Sequence, residues 1–480
     1  MSNNQHQATA TALSSLKDIH SVYFIGIGGI GMSALARYFI AKGVMVSGYD
    51  KTETELTKKL VEEGIPVHYT EDVNNIPKDV DLVVYTPAVP KQHAELVYYQ
   101  ENNYKVVKRS DVLGAISADT FNICVAGTHG KTTVSTMVAH ILRDSGYGCN
   151  AFLGGISTNY NTNFWSDPNN VSVIEADEYD RSFLKLSPDV AIITAMDADH
   201  LDIYGDEATM QQAFVEFGSK VKPGGLLISK FGLTKAKDIK ADNKWTYSTT
   251  NDAASVYTLD IKIQEGGYDF NVQLPGGMIS GFRLNMGGMH NVENAVAAIA
   301  VAYKLEIDEE KIKAAIASFR GVKRRFEYVL PWEPKEKGGY VYPILIDDYA
   351  HHPEELRALL RSTRNLFPQR KITVIFQPHL FSRTKDFANE FSSSLDIADR
   401  IILLPIYPAR ELPMEGVTSE IILKNIQGED KQLLSKEELL DWARRYANEI
   451  DKEFGEVIVV AGAGDIDQLV APLKQIFANA

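Results

Sequence analysis

The chain has 480 residues, a length that fits two to four domains with large hydrophobic cores. Its formal net charge of -14, with 45% hydrophobic and 23% charged residues, is typical of a globular protein and argues against nucleic-acid or anionic-membrane partners. Two cysteines cannot build a disulfide framework or a cysteine-based zinc site, and no apolar run approaches the ~20 residues of a membrane helix. We therefore expect a cytoplasmic protein with no membrane partner.

The first predicted α/β unit follows an N-terminal arm that ends near residue 20. The apolar run 22–25 predicts a buried strand, and apolar residues at helical spacing over 32–40 predict a helix that Gly43 ends. Further strands are predicted before Asp50 and over 81–86. Alternation of strands and helices predicts a parallel sheet.

The same alternation restarts twice along the chain. The second unit has predicted strands at 122–126, 172–175 and 190–194, helices at 134–142 and 291–305, and a β-rich stretch at 224–286. The third unit has predicted strands at 343–346, 372–376, 401–404 and 457–460. We therefore predict an α/β fold of three domains, with bounds 1–119, 120–323 and 324–480.

A phosphate-binding loop is predicted between the first strand and the first helix of the second unit. It consists of Gly127, Thr128, His129, Gly130, Lys131, Thr132 and Thr133. Phosphate requires backbone N–H donors at a helix N-terminus, glycines for close approach and a lysine, while a following threonine can hold Mg²⁺. The loop departs from the general GxxxxGK[ST] pattern, because Val125 stands where the first glycine is expected. The alternative is a glycine-rich turn with an incidental lysine, but the complete set indicates an enzyme that uses ATP.

A second glycine-rich turn lies in the first unit. The residues from Gly26 to Gly31 fit GxGxxG between a strand and a helix, and Asp50 stands nineteen residues after Gly31. Taken alone, this pattern suggests an NAD-dependent oxidoreductase. It is a weak signal, because the same turn holds any diphosphate.

The short loop Gly-Thr-His-Gly-Lys-Thr-Thr resembles the Mur ligase family, whose members activate a carboxylate with ATP and join it to an amine. The segments 26–36 and 376–384 resemble the branch that adds L-alanine to UDP-N-acetylmuramate, and the resemblance covers the chain after residue 20. It implies a Rossmann-like N-terminal domain, a central ATPase domain and a Rossmann-like C-terminal domain. It also implies ATP, Mg²⁺, UDP-N-acetylmuramate and L-alanine as ligands, in peptidoglycan precursor synthesis. We expect a monomer or a weak homodimer.

The resemblance assigns metal ligands to residues that follow predicted strands. Glu175 resembles the family's metal-binding glutamate, and His200 resembles the histidine that holds a second Mg²⁺; with Thr132 they would place the metal. A lone acidic cluster is more often a solvated turn, but two such clusters after a phosphate loop favour the metal site. Many relatives carry a carbamylated lysine beyond this histidine, and Phe217 stands there instead. The alanine-adding branch is expected to lack that lysine.

The resemblance also implies contacts to both nucleotides. Lys131 and Arg325 would stabilise the transferring phosphoryl group, and the other implied ATP contacts are His290, Asn291, Asn294, Asp347 and Asp348. The implied contacts of the UDP substrate are Gly26, Gly28, Gly29, Gly31, Asp50, Thr86, His379 and Arg383. The local alternatives are a helix cap at Asn291, a solvated face for the paired arginines and zinc ligation by His351 and His352.

Three other functions stay open at this point. The murein tripeptide-recycling ligase of the same family resembles the first two domains, although the 376–384 segment favours the alanine-adding branch. An NAD-dependent oxidoreductase would use the residues from Gly26 to Gly31. A non-catalytic nucleotide-sensing module would bind ATP without turnover.

Overall fold

The computed structural model describes residues 16–197, 201–330, 343–409, 411–451 and 453–478. Three sheets of five, ten and six strands follow one another along the chain. The predicted three-domain α/β fold is confirmed. Within these described ranges, no helix is both long and apolar enough to cross a membrane.

The N-terminal sheet has the strand order β3-β2-β1-β4-β5, with every neighbouring pair parallel. Its strands are β1 (Ser21–Ile25), β2 (Met45–Tyr49), β3 (Val67–His68), β4 (Leu82–Tyr85) and β5 (Val106–Lys108). Its helices are α1 (Ile30–Ala41), α2 (Glu55–Glu62), α3 (Ala94–Glu101) and α4 (Arg109–Asp119). Because β1 pairs with both β2 and β4, the glycine-rich turn after β1 lies where the strand order reverses, which is where such sheets bind ligands.

The central sheet has the order β15-β14-β13-β12-β11-β10-β6-β9-β7-β8, parallel in its middle and antiparallel at both edges. Its strands are β6 (Phe121–Ala126), β7 (Asn150–Ser157), β8 (Thr162–Trp165), β9 (Val171–Glu175), β10 (Val190–Ile193), β11 (Leu226–Lys230), β12 (Asn243–Ser248), β13 (Val256–Gln264), β14 (Gly267–Leu274) and β15 (Gly277–Leu284). Its helices are α5 (Lys131–Asp144), α6 (Leu201–Tyr204), α7 (Glu207–Gly218), α8 (Met289–Lys304) and α9 (Glu309–Ser318). Two 3₁₀ helices span Tyr179–Lys185 and Ala236–Asp238.

The C-terminal sheet has the order β16-β17-β21-β18-β19-β20, and only the β16–β17 pair among the described strands is antiparallel. Its strands are β16 (Glu327–Leu330), β17 (Ile344–Asp348), β18 (Lys371–Phe376), β19 (Arg400–Leu403), β20 (Lys431–Leu433) and β21 (Glu456–Ala461). Its helices are α10 (Pro353–Leu366), α11 (Phe381–Asp386), α12 (Ala388–Leu395), α13 (Glu420–Leu423), α14 (Lys436–Tyr446) and α15 (Val470–Phe477), and a 3₁₀ helix spans Asp465–Leu469.

The first helix docks the N-terminal domain onto the central one. The ring of Tyr38 on α1 contacts Phe152 on β7 and Phe164 on β8, with centroids 5.4 and 6.2 Å away. The buried guanidinium of Arg37 donates to Asn163 Oδ1 at 2.5 Å, and Asn163 Nδ2 donates to the carbonyl of Ile30 at 2.5 Å. Because α1 begins at the glycine-rich turn, this contact brings that turn to the central domain.

Phe217 and the two cysteines all lie in the protein interior. Phe217 is fully buried and stacks on Phe183, with ring centroids 5.1 Å apart. Position 217 therefore belongs to an aromatic cluster with Phe183 and Phe214. Cys124 and Cys149 are both buried free thiols.

Candidate active site

The phosphate loop joins β6 to α5 in a backbone conformation that requires glycine. Gly127 has φ +139°, and a Cβ there would lie 2.1 Å from Thr194 Oγ1. Gly130 is the N-cap of α5 and has φ +81°. Thr194, at the end of β10, also donates a hydrogen bond to the carbonyl of His129. The loop is thus packed against the neighbouring strand, with the N-terminus of α5 exposed to a ligand.

The side chain of Lys131 is held by two oxygen acceptors. Its Nζ donates to the carbonyl of Gly127 at 2.6 Å and to Glu178 Oε1 at 2.8 Å. The side chain of Glu178 is only 1% exposed. No sequence pattern indicates a role for Glu178, although it stands three residues after Glu175 in the same acidic cluster.

Glu175, the last residue of β9, accepts hydrogen bonds from α5 and from β7. Thr132 Oγ1 donates to its Oε1 at 2.9 Å, and the backbone N–H of Gly154 donates to its Oε2 at 2.8 Å. Burial raises the pKa of Glu175, while the ammonium of Lys131 acts in the opposite direction. A Cβ on Gly154 would lie 2.2 Å from Glu175 Oε1, so β7 approaches this carboxylate closely only because it carries glycine here.

The hydroxyl of Thr132 and the carboxylate of Glu175 are oxygen donors that suit Mg²⁺. A carboxylate that burial destabilises gains from a nearby cation, so the two described residues fit the metal that the resemblance implies. His200, the third predicted ligand, lies outside the described residues. Within the described part of the chain, no group of three or more His, Cys, Asp or Glu side chains is arranged to hold a metal ion.

A cavity of about 160 Å³ lies between the N-terminal and central domains. One wall is formed by Gly31 at the start of α1 and by Arg109 at the start of α4; the other wall contains Gly154, Glu175 and Asp177. Arg109 Nη2 donates to Asp177 Oδ2 at 3.0 Å. The cavity therefore joins the glycine-rich turn to the candidate metal carboxylate. Arg109 was not predicted from the sequence, because no local pattern marks a contact between domains.

The glycine-rich turn is held by the end of β2. The N–H of Gly26 donates to the carbonyl of Tyr49 at 2.8 Å, and the N–H of Gly28 donates to Asp50 Oδ2 at 2.7 Å. Asp50 therefore contacts the turn itself. Thr86 packs close to Gly26, since a Cβ on Gly26 would lie 2.9 Å from the Thr86 methyl group.

Two further glycines of this turn shape the start of α1. Gly29 is the N-cap of α1, with no side-chain cap. A Cβ on Gly31 would lie 2.4 Å from Nη1 of Arg109. The small size of Gly31 therefore allows the guanidinium of Arg109 to lie against the start of the helix.

The predicted ATP contacts His290, Asn291 and Asn294 lie in the first turns of α8. Gly288 is the N-cap, so Asn291 does not cap the helix; instead the Asn291 amide donates to the carbonyl of Gly287 at 2.6 Å. Asn294 donates to Asn291 Oδ1 at 3.1 Å, and its Oδ1 lies 2.9 Å from the position of a Cβ on Gly130. The two asparagines therefore connect the start of α8 to the phosphate loop. His290 is exposed beside them.

The paired arginines at the start of the third domain have different surroundings. Arg324 forms ion pairs with Asp347 and Asp467, at 3.8 and 3.4 Å. Arg325 is exposed, and its guanidinium carbon lies 5.5 Å from the ring centroid of Tyr349. Arg324 is thus engaged within the C-terminal domain, and Arg325 is the arginine that faces outward.

The two aspartates at the end of β17 also differ. Asp348 accepts hydrogen bonds from the backbone N–H groups of Phe326 and Ala350, at 2.7 and 2.8 Å. Both of its carboxylate oxygens are therefore bonded to the backbone. Asp347 is 3% exposed, and its Oδ1 has no hydrogen-bond partner among the described residues. Burial, opposed by the guanidinium of Arg324, raises the pKa of Asp347 to about 7.

This raised pKa predicts a pH-dependent effect of Asp347→Asn on the stability of the ligand-free protein. A carboxyl with a raised folded-state pKa keeps its proton when the unfolded chain has lost it, so the wild type loses stability between about pH 4 and about pH 7. The asparagine side chain has no carboxyl proton, so the variant does not show this pH-dependent loss of stability. We expect its stability advantage to grow over that range to on the order of 2 kcal/mol and to stay constant at higher pH. Melting temperatures at pH 5, 6, 7 and 8 measure it, and an advantage that does not change with pH would contradict it.

A histidine-rich cluster lies beside β17 and β18 in the C-terminal domain. His379 stacks on Tyr407 with ring centroids 5.7 Å apart, and it contacts the edge of His351 at 5.9 Å. Arg383 Nη1 donates to the carbonyl of His351 at 3.4 Å. Burial lowers the pKa of both His379 and His351, which favours their neutral forms.

His352, considered above as a zinc ligand, has a structural place. It is the N-cap of α10, and Pro353 occupies the first turn. The backbone N–H groups of His351 and His352 both donate to Glu355 Oε2, at 2.9 and 3.0 Å. The His-His-Pro segment therefore starts a helix.

Family models match the chain in three consecutive segments: "Mur ligase family, catalytic domain" at residues 21–120, "Mur ligase middle domain" at 125–302 and "Mur ligase, glutamate ligase domain" at 324–464. The chain is 49% identical to the UDP-N-acetylmuramate–L-alanine ligase of Porphyromonas gingivalis strain W83, over 95% of this chain and 98% of that one. It is 47% identical to the enzyme of the same name from Cytophaga hutchinsonii, over 96% and 97%.

Solved structures agree with these matches. The UDP-N-acetylmuramate–alanine ligase of Thermotoga maritima superposes with a TM-score of 0.77 at 28% identity, over 96% of this chain and 99% of that one. A murein peptide ligase of Psychrobacter arcticus, 23% identical over 95% and 99%, shares the fold with a TM-score of 0.62. The resemblance found in the sequence is confirmed, and the chain belongs to the Mur ligase family.

Proposed function

We propose that the chain is an ATP-dependent ligase that joins L-alanine to UDP-N-acetylmuramate in peptidoglycan precursor synthesis. The relatives at 49% and 47% identity carry this name over nearly their whole length. The structural observation that carries the proposal is the cavity between Glu175 of the ATP-binding domain and the glycine-rich turn of the N-terminal domain. It offers one place where a carboxylate from a UDP-linked substrate meets the phosphate site.

The proposed reaction has two steps. A carboxylate oxygen of the muramoyl group attacks the γ-phosphorus of ATP, so that an acyl phosphate forms and ADP leaves. The amine of L-alanine then attacks the acyl carbon and loses a proton. The resulting tetrahedral intermediate expels phosphate and forms the amide bond.

The residues around the phosphate loop have roles that follow from charge. We assign Lys131 and Arg325 to the negative charge on the transferring phosphoryl group. We assign Thr132, Glu175 and His200 to Mg²⁺, which neutralises phosphate oxygens when it is bound. The whole loop from Gly127 to Thr133 would contact the phosphates.

Other residues would bind the remainder of each substrate. For the ATP base and ribose we propose His290, Asn291, Asn294, Asp347 and Asp348. For the UDP substrate we propose Gly26, Gly28, Gly29, Gly31, Asp50 and Thr86, with His379 and Arg383 approaching the muramoyl group, and we add Arg109 because it lines the cavity. We propose domain boundaries at 119/120 and 323/324.

Phosphate release from ATP, measured over a panel of amino acids with UDP-N-acetylmuramate, tests the function. We expect release that requires both the UDP substrate and an amino acid, with L-alanine preferred over glycine and L-serine. Faster turnover with the tripeptide L-alanyl-γ-D-glutamyl-meso-diaminopimelate would instead identify a recycling ligase. Release that depends on neither acceptor would contradict ligation.

A further inference from the structure

Two oxygen acceptors orient the ammonium group of Lys131. Gly127 O and Glu178 Oε1 lie 2.6 and 2.8 Å from its Nζ. A lysine ammonium has three N–H donors, so these two acceptors take two of them and leave one for a phosphate oxygen. The backbone acceptor belongs to the loop itself, whereas Glu178 is supplied by the segment after β9.

Glu178 is held firmly in the protein. The hydroxyl of Tyr204 donates to the carbonyl of Glu178 at 2.6 Å, and Arg181 donates its N–H to the same carbonyl at 3.0 Å. Asp180 and Arg181 then adopt φ of +52° and +55°. This left-handed conformation is tolerated by Asp but is unfavourable for Arg. The surrounding fold therefore maintains a strained backbone at Arg181, three residues after this glutamate.

Ion pairs from the N-terminal domain hold the strained segment from the other side. Residues at the start of α4 and just before it contact the acidic segment in three pairs: Arg109–Asp177 at 3.0 Å, Lys108–Asp180 at 2.9 Å and Asp111–Lys185 at 2.5 Å. These pairs are partly exposed, so each contributes little to stability by itself. They connect the acidic segment to the N-terminal domain.

The pairing of Glu178 with Lys131 is also favoured by charge. Burial raises the pKa of Glu178, and Lys131 is the largest influence in the opposite direction. A buried carboxylate is stabilised by a nearby cation, and the ammonium of the phosphate-loop lysine lies 2.8 Å from Glu178 Oε1.

From this geometry we infer that Glu178 is a positioning residue for Lys131. Its carboxylate and the carbonyl of Gly127 hold the ammonium at the mouth of the phosphate loop, so that the remaining N–H is directed at ATP. Because its side chain is only 1% exposed, Glu178 would act through Lys131 and not through a contact with substrate. The inference rests on the proposed ATP-dependent function and adds to it a residue that acts through the lysine.

Three variants test this positioning: Glu178→Ala, Glu178→Gln and the control Asp180→Asn. Misplacing a catalytic group by about 1 Å costs roughly 100-fold in rate, so we expect Glu178→Ala to lower kcat about 10- to 100-fold with the KM for the UDP substrate unchanged. Glu178→Gln keeps an oxygen acceptor and should recover part of kcat. Asp180→Asn removes the ion pair to Lys108, suits a left-handed backbone and should behave as wild type.

A double-mutant cycle on ATP affinity, measured by calorimetry, shows whether Glu178 acts through Lys131. We expect Glu178→Ala to weaken ATP binding in the wild type and to have no further effect in a Lys131→Ala background. Equal effects in both backgrounds would overturn the inference. A Glu178→Ala protein with wild-type kcat would also overturn it. The same holds if the alanine and glutamine variants lose kcat equally and each loss is explained by the fraction of protein that remains folded.

Failure of the inference and failure of the proposed function give different results. A wild type without alanine-dependent phosphate release contradicts the ligase function, whereas the binding cycle needs no turnover. If Glu178→Ala does not fold, Glu178→Gln, which has nearly the same shape, carries the same cycle.

Discussion

Lys131→Ala is expected to lower kcat for phosphate release by roughly 10³-fold or more. Electrostatic groups aimed at a transferring phosphoryl group supply effects of about this size, because they act in a site with little water. The substitution also leaves the carboxylate of Glu178, 1% exposed, without its ammonium partner. Binding of the UDP substrate should be retained, since the glycine-rich turn is held by Tyr49 and Asp50.

The matched control is Lys222→Ala in the same domain. Lys222 pairs with Asp189 at 2.8 Å, ahead of the first residue of β10, whereas the phosphate loop packs at the opposite end of that strand. We expect its kcat to equal that of the wild type. Calorimetry with UDP-N-acetylmuramate checks that each variant retains the first substrate site. A Lys131→Ala enzyme that keeps more than about a tenth of the wild-type kcat would be inconsistent with the proposed mechanism.

The phosphate loop was predictable from the sequence because its requirements are local. Gly127 and Gly130 adopt backbone angles that other residues rarely take, and Lys131 follows at once. The pattern of glycines, lysine and threonine between an apolar strand and an amphipathic helix therefore predicts the conformation of the loop. The same holds for the turn after β1, where the N–H of Gly28 contacts Asp50.

Contacts between distant segments were not predictable in this way. Glu178 reaches Lys131 across 47 residues of sequence, and Arg109 reaches Asp177 across 68. Several strands also escaped prediction. The hairpin of β7 and β8 contains Gly154 and Gly155, which hide its β character, and edge strands such as β3 and β20 have two and three residues.

The roles of paired residues needed coordinates as well. Nothing in the sequence separates Asp347 from Asp348, yet one is buried beside Arg324 and the other binds two backbone N–H groups. The segment around Asn291 likewise fits both a cap and a ligand contact. The structure places Gly288 at the cap, which leaves Asn291 to connect the chain before the helix to Asn294.

Glu175→Gln is expected to lower kcat by roughly 100- to 1,000-fold and to raise the Mg²⁺ concentration needed for half-maximal rate. The amide retains an oxygen for Thr132 or Gly154 but loses the negative charge that a divalent cation requires. Activity measured over a range of Mg²⁺ concentrations separates a metal defect from a folding defect. Asp189→Asn, which removes a carboxylate ahead of β10, serves as the control and should show the wild-type Mg²⁺ dependence.

Gly154→Ala should produce the same Mg²⁺ defect without changing any charged group. Its Cβ would lie 2.2 Å from Glu175 Oε1, so either the carboxylate or β7 must move. The displaced carboxylate would also lose the hydrogen bond from the N–H of Gly154. That bond stabilises the charged form of Glu175, which burial disfavours. If both variants kept the wild-type Mg²⁺ dependence, the metal would be bound elsewhere. A shared increase, with the affinity for the UDP substrate unchanged, would place the metal at the end of β9, beside the cavity that joins the two substrate sites.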